Sequence, residues 1–144
     1  MEKRYDHIVN KYHHRFLEER FKDMDINRSE APYLKVISKY GSIKMNELID
    51  KFFFHKSHTT RVVKSLVNQG YILKDVDPED KRGYILTITE KGKNKASKIT
   101  KVLNDWENLM DSFLSKDEKE YIDNLHKKIY EQLRVYFKEE KEDD

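Results

Sequence analysis

The strongest constraint on this chain is a double change of apolar period. Up to Gly70 the apolar residues recur at spacings of three to five; from Tyr84 to Thr89 they alternate; beyond Thr89 the three/four spacing returns. A period near 3.6 marks a helix with one buried face, and a period of two marks a strand. A chain patterned in that order is mainly α with a small β-hairpin. The punctuation agrees. There are only four glycines and two prolines, and all four glycines fall between periodic segments. So few turn formers disfavour an all-β sandwich. Charged residues make up 39% and the hydrophobic set 37%, so the apolar residues must be placed economically on helix faces. Nine Tyr, seven Phe and one Trp supply core material and argue against disorder. The length, 144 residues, suits a single domain.

The periodic segments divide as follows. Ile8, Tyr12, Phe16, Leu17, Phe21 and Met24 predict a helix over Tyr5–Met24. Ser29 is a candidate cap for a second helix, with Glu30 and Pro32 in its first turn and Gly41 at its end. Asn46–Phe53 and Lys56–Asn68 are two short amphipathic helices separated by Phe53-Phe54-His55. In the second of these, Thr59, Val62, Val63, Leu66 and Val67 share one face and Ser57, His58, Arg61 and Lys64 the other. Two short helices, a tight turn and a basic, hydroxyl-rich outer face fit a helix-turn-helix. Strands Tyr71–Val76 and Tyr84–Thr89 follow, joined by a polar turn holding Pro78 and Gly83. A hairpin directly after a recognition helix makes a winged helix. Thr89 then caps a helix striped by Ile99, Val102, Leu103, Trp106, Leu109, Met110, Phe113 and Leu114. Ser115 or Asp117 opens a last helix carrying Tyr121, Ile122, Leu125, Ile129, Leu133 and Tyr136.

Net charge is only +2, which argues against a nucleic-acid partner until it is resolved along the chain. Residues 139–144 hold five acids and one Lys, an acidic tail of net −4, so residues 1–138 carry +6. From Lys51 to Lys74, 24 residues include five Lys or Arg and no acid. An acid-free basic surface suits a phosphate backbone, whose condensed counterions are released on contact. The stretch coincides with the proposed recognition helix.

Other classes fall away. With no cysteine there is no disulfide, Cys-zinc site or thiol switch. No apolar run approaches a membrane span, and the start lacks the apolar stretch of a secretory signal, so the expected compartment is the cytoplasm. No glycine-rich phosphate loop, nucleophile elbow or zinc-hydrolase helix occurs, and no enzymatic activity or cofactor is expected. His7 and His14 lie two turns apart and no His-x-x-x-His pair occurs within a helix, so no metal site is expected.

The wing segment Asp77-Pro78-Glu79-Asp80-Lys81-Arg82-Gly83-Tyr84-Ile85-Leu86-Thr87-Ile88-Thr89-Glu90-Lys91-Gly92 resembles that of the multiple antibiotic resistance regulator (MarR) family of winged-helix repressors. Asp80 and Arg82 hold the family's D-x-R, with Ile88 in place of a Leu before Thr89 and Glu90-Lys91-Gly92. Lys56-Ser57, Thr60-Arg61, Leu66 and Gly70-Tyr71-Ile72 are similar to its recognition helix and exit. With one helix before and two after, the resemblance covers essentially the whole chain. Two departures stand out. Phe53 occupies a turn position where the family often has a small residue, within a bulky Phe52-Phe53-Phe54 run that predicts one exposed ring. His55 sits where Ser or Asp usually caps, predicting either a looser helix start or a cap at Ser57.

The resemblance implies a ligand-responsive, homodimeric repressor of double-stranded DNA. Its winged helix-turn-helix lobe would span 29–92, its dimerisation helices 1–28 and 93–138, and its acidic tail 139–144. Ser57 and His58 are candidates for base edges, Arg61 for guanine or phosphate, and Lys56, Thr60 and Lys64 for phosphate. Lys81 and Arg82 are the wing candidates, Arg82 for the minor groove, with Asp80 as its support. An ordinary exposed turn with a weak ion pair is the plainer account of Asp80 and Arg82. Dimer candidates are Ile8, Tyr12, Phe16, Ile122, Leu125 and Ile129, and intrachain core is the plainer account of them. A small aromatic or phenolic effector is implied between the dimer helices and the lobe, with Tyr12, Arg15, Tyr33 and Trp106 as candidate lining. The rival reading is a winged-helix protein-interaction module without specific DNA binding.

Overall fold

The computed structural model describes residues 2–52 and 55–139. Two compact units result, residues 1–106 and 107–144. Mainly helical architecture with one small antiparallel sheet matches the expected fold class.

In the first unit α1 spans Tyr5–Phe21 and α2 Ala31–Tyr40. Helix α1 stops three residues short of the expected Met24. Met24 N–H turns back to the Phe21 carbonyl, and Asp25 takes a positive φ of 52° that ends the helical path. The cap of α2 is a correction to the sequence reading. The Asn27 side-chain oxygen, not Ser29, accepts the Glu30 N–H at 2.9 Å, and Ser29 donates its hydroxyl to the same oxygen. Pro32 lies in the first turn, where its missing N–H costs nothing.

A strand that the sequence reading lacks follows Gly41: β1, Ser42–Lys44. Then come α3 (Met45–Lys51), α4 (Lys56–Asn68), β2 (Ile72–Val76) and β3 (Tyr84–Ile88). The sheet order is β1-β3-β2, wholly antiparallel, with Ile43 opposite Leu86 and Ile72 opposite Ile88. These pairs put Ile43, Ile72, Leu86 and Ile88 into the core beside Leu34, Ile37, Leu48, Val63 and Leu66. Period two in β3 is thus real: Leu86 and Ile88 are buried and Ile85 and Thr87 only half-buried.

Helix α5 spans Glu90–Ser112. The Thr89 hydroxyl caps it as expected, accepting the Gly92 N–H at 3.0 Å. Gly92 is required by close approach. A Cβ there would meet the Tyr71 carbonyl oxygen at 2.1 Å and Ile88 Cδ1 at 2.6 Å. The hairpin therefore packs directly on the start of α5. Loop 22–28 is tied down nearby, with Tyr71 Oη donating to the Asp25 carbonyl and Lys95 Nζ to that of Met24. Burial raises the Tyr71 pKa and lowers that of Lys95.

The second unit holds the end of α5 and α6, Lys116–Tyr136. Ser115 caps α6 in a reciprocal box with Glu118, which fixes the choice between Ser115 and Asp117. That bond from the Ser115 N–H holds the Glu118 carboxyl below its ordinary range. No residue of α6 is buried, and its stripe of Tyr121, Ile122, Leu125, Ile129, Leu133 and Tyr136 stands exposed.

Candidate nucleic-acid interface

Helix α4 begins and ends where its pattern predicts, Lys56–Asn68. Thr59, Val62, Val63 and Leu66 are buried, so the apolar stripe fixes the helix's rotation. That rotation leaves Lys56, Ser57, Thr60, Arg61 and Lys64 together on one exposed face. Among the described residues none of Lys56, Arg61 and Lys64 is ion-paired. Their charge is therefore available to a phosphate. Thr60 is partly spent: its hydroxyl donates to the Lys56 carbonyl at 2.9 Å, leaving only its lone pairs. His58 is half-buried, with its ring tilted against that of Tyr33 at 6.0 Å between centroids.

The start of α4 carries no side-chain cap. His55 holds the cap position with φ −64° and ψ 147° but contributes no side-chain bond, and Ser57 does not replace it. The uncapped N–H groups and helix dipole add to the positive character of this end. Phe52, just before, is half-buried and stacks on Tyr33 at 4.0 Å. Phe53 and Phe54, where an exposed ring is expected, lie outside the described residues.

The wing tip is held by two aspartates. The Asp80 carboxylate accepts the Arg82 N–H at 3.0 Å and lies 3.6 Å from Arg82 Nε. The Arg82 side chain is 94% exposed, so its guanidinium is displayed and not sequestered. Asp77 carries a role that the sequence reading missed. Its side chain is buried, accepts the Glu79 N–H at 2.9 Å, and lies 3.7 Å from Lys44 Nζ on β1. A buried carboxylate needs such partners. The signal was present in Asp77-Pro78, since Asp before a turn bonds the backbone two residues on.

A helix-turn-helix, a three-stranded wing and a displayed wing arginine are the features against which known proteins can be compared. The MarR family's sequence model matches residues 26–84. The HTH-type transcriptional regulator BilQ of Clostridioides difficile is 34% identical over 95 residues, which cover 65% of this chain and 64% of BilQ. A crystal structure of a mutant MarR from E. coli, complexed with operator DNA, superposes with a TM-score of 0.76 at 25% identity, covering 87% of this chain and 90% of that one. In its winged-helix lobe, the chain is similar to the MarR family. The chain spans just under two thirds of BilQ's length. A MarR protein from Peptoclostridium difficile shares the fold, with a TM-score of 0.82 at 23% identity, over 93% of this chain and 88% of that one.

The four candidate effector residues meet different surroundings. Tyr33 has no exposed surface and its hydroxyl is bonded to that of Thr59 at 2.9 Å, so it braces α4 from inside. Trp106 stacks on His13 at 4.7 Å and packs against Phe16 at 5.3 Å. Tyr12 is exposed, and Arg15 is exposed and paired with Glu19 at 3.0 Å. A cleft of about 750 Å³ lies elsewhere in the first unit, between α1, α2 and α5. Leu17, Phe21, Val36, Ile99 and Leu103 give it apolar walls, and Arg28, Lys35 and Lys39 bring cations to it. Among the described residues no cluster of three or more His, Asp or Glu could hold a metal.

Proposed function

We propose that this chain is a sequence-specific DNA-binding transcriptional regulator, a repressor that acts as a homodimer and responds to a small acid. The observation that carries the reading is the acid-free basic face of α4, without an ion pair among the described residues, together with a displayed wing arginine. Helix α4 enters the major groove. Ser57 and His58 face base edges, Arg61 takes guanine or phosphate, and Lys56, Thr60 and Lys64 track the backbone. Arg82, with Lys81, reaches the narrow minor groove, and Asp80 holds Arg82 in place. The E. coli MarR structure with operator DNA supports this docking by likeness of fold.

A single winged helix makes few contacts, and the bare stripe of α6 supplies a reason to pair. Ile122, Leu125 and Ile129, with Ile8, Tyr12 and Phe16 of α1, are the proposed dimer residues. A two-fold dimer reads a pseudo-palindrome with half-sites about 10 bp apart. We place the effector in the α1–α2–α5 cleft, where apolar walls and three cations suit an aromatic carboxylate. The site of action is the cytoplasm, and no helix among the described residues is long and apolar enough to cross a membrane. A gel shift against the DNA upstream of the chain's own gene tests the reading. Specific binding that weakens steeply with salt supports it. No binding at any salt supports a protein-interaction module instead.

A further inference from the structure

We propose that Glu30 is a positioning residue for sequence reading, a clamp that sets the angle of the recognition helix from the start of α2. The inference rests on the DNA-reading function proposed above. Glu30 is only 7% exposed although it is an acid at a helix start in a chain where most acids are solvated. Its carboxylate is fully engaged. One oxygen accepts from the Asn27 side-chain amide; the other accepts from Gln69 Nε2 at 2.8 Å and faces Ser65 Oγ at 3.4 Å. Gln69 also donates to Ser65 at 2.9 Å, so the two α4 donors form one small network.

Ser65 and Gln69 stand one turn apart at the end of α4. One turn along α2 from Glu30, Tyr33 bonds Thr59 in the first half of α4, both side chains fully buried. Lys91 Nζ, from α5, donates to the Gln69 carbonyl at 2.7 Å and secures the same helix end. Helix α4 is thus held by directional bonds near both ends, and apolar packing in between. Packing tolerates small rotations, whereas hydrogen bonds to a buried carboxylate do not. A helix that reads bases with its first turns needs that angular control, because a small tilt at Gln69 displaces Ser57 and His58 by a lever of about 12 residues, or about 18 Å at the helical rise.

Glu30→Gln tests the clamp. The amide keeps one acceptor oxygen where the carboxylate has two and removes the charge that strengthens both bonds, so Asn27 and Gln69 can no longer both donate to it. Glu30→Gln combined with Gln69→Glu restores the bond in the reverse sense and returns the net charge to its natural value. The probes are a duplex selected from random DNA by the natural chain, and an unrelated duplex of equal length. The clamp predicts that Glu30→Gln loses about tenfold in affinity for the selected duplex, while affinity for the unrelated duplex stays equal or rises with the lost negative charge. The double variant recovers most of the loss. Electrostatics alone predicts tighter binding to both duplexes, and that result overturns the clamp. Equal loss on both duplexes also overturns it, since Glu30 would then only stabilise the fold. Glu30→Gln binding as the natural chain does so too. If the natural chain enriches no duplex, the DNA-reading proposal itself falls and takes the clamp with it.

Discussion

Helices α4 and α6 carry comparable amphipathic stripes and meet opposite fates. Thr59, Val62, Val63 and Leu66 of α4 are buried within the first unit, and no residue of α6 is buried. Amphipathicity therefore says that a helix has an apolar face and not what covers it. In α4 the stripe is used up, and the polar face is left for a ligand. In α6 the stripe itself is left exposed. Helix α1 is divided along its length, with Leu17 and Phe21 buried and Tyr5, Val9 and Tyr12 exposed.

The largest expected effect separates those two fates. Leu66→Ala should destabilise the chain by about 2–5 kcal/mol, as for a buried leucine, at every protein concentration. Leu125→Ala should instead weaken self-association, by about 1–2 kcal/mol if it lies at an interface centre, with less effect on a monomer's unfolding. Denaturant melts at two concentrations check both. Equal, concentration-independent losses would return Leu125 to the intrachain core. Next comes the wing. Arg82→Ala should cost about 1–3 kcal/mol of DNA affinity, and natural-strength binding would remove Arg82 from the interface.

A smaller effect sits inside α4. His58→Ala should change the selected sequence, whereas Lys64→Ala should weaken all duplexes alike and lower the salt slope. Identical consequences would take His58 out of base reading, a real test given its half-buried ring. Smallest is a pH effect far from DNA. Bonds from Arg20 and then Lys101 hold the Asp105 carboxyl below its ordinary range. Because the folded value is depressed, its stabilisation is present above the unfolded pKa of about 3.9 and is lost as pH falls through the folded one. Arg20→Gln should therefore flatten the acid-side fall of the melting temperature, and an unchanged profile would show the pair to be inert.

What could be read in advance follows from the physics of each feature. The bounds of α4, and those of the hairpin strands to within one residue, are legible because each repeats a period several times between clear breaks. Strand β1 was not, since Ser42–Lys44 offers three residues and one buried side chain, too few for a period. The cap of α2 was misplaced by two residues, although Asn27 and Glu30 have the spacing of a capping pair. Glu30 and Asp77 were passed over as ordinary acids. The α4 partners of Glu30 lie 35 and 39 positions away, and Lys44 is 33 from Asp77, so only folding reveals them. The effector candidates differ in their surroundings for a related reason. Tyr33 carries an amphipathic ring that reads equally as pocket or core, and burial decided for core.

Selection of bound duplexes from random DNA at moderate salt tests the central claim, that α4 and the wing read sequence as a symmetric pair. The account predicts enrichment of a pseudo-palindrome with half-sites about 10 bp apart, bound by two chains. A pool that stays random, although the protein is folded and the salt is low, would contradict it.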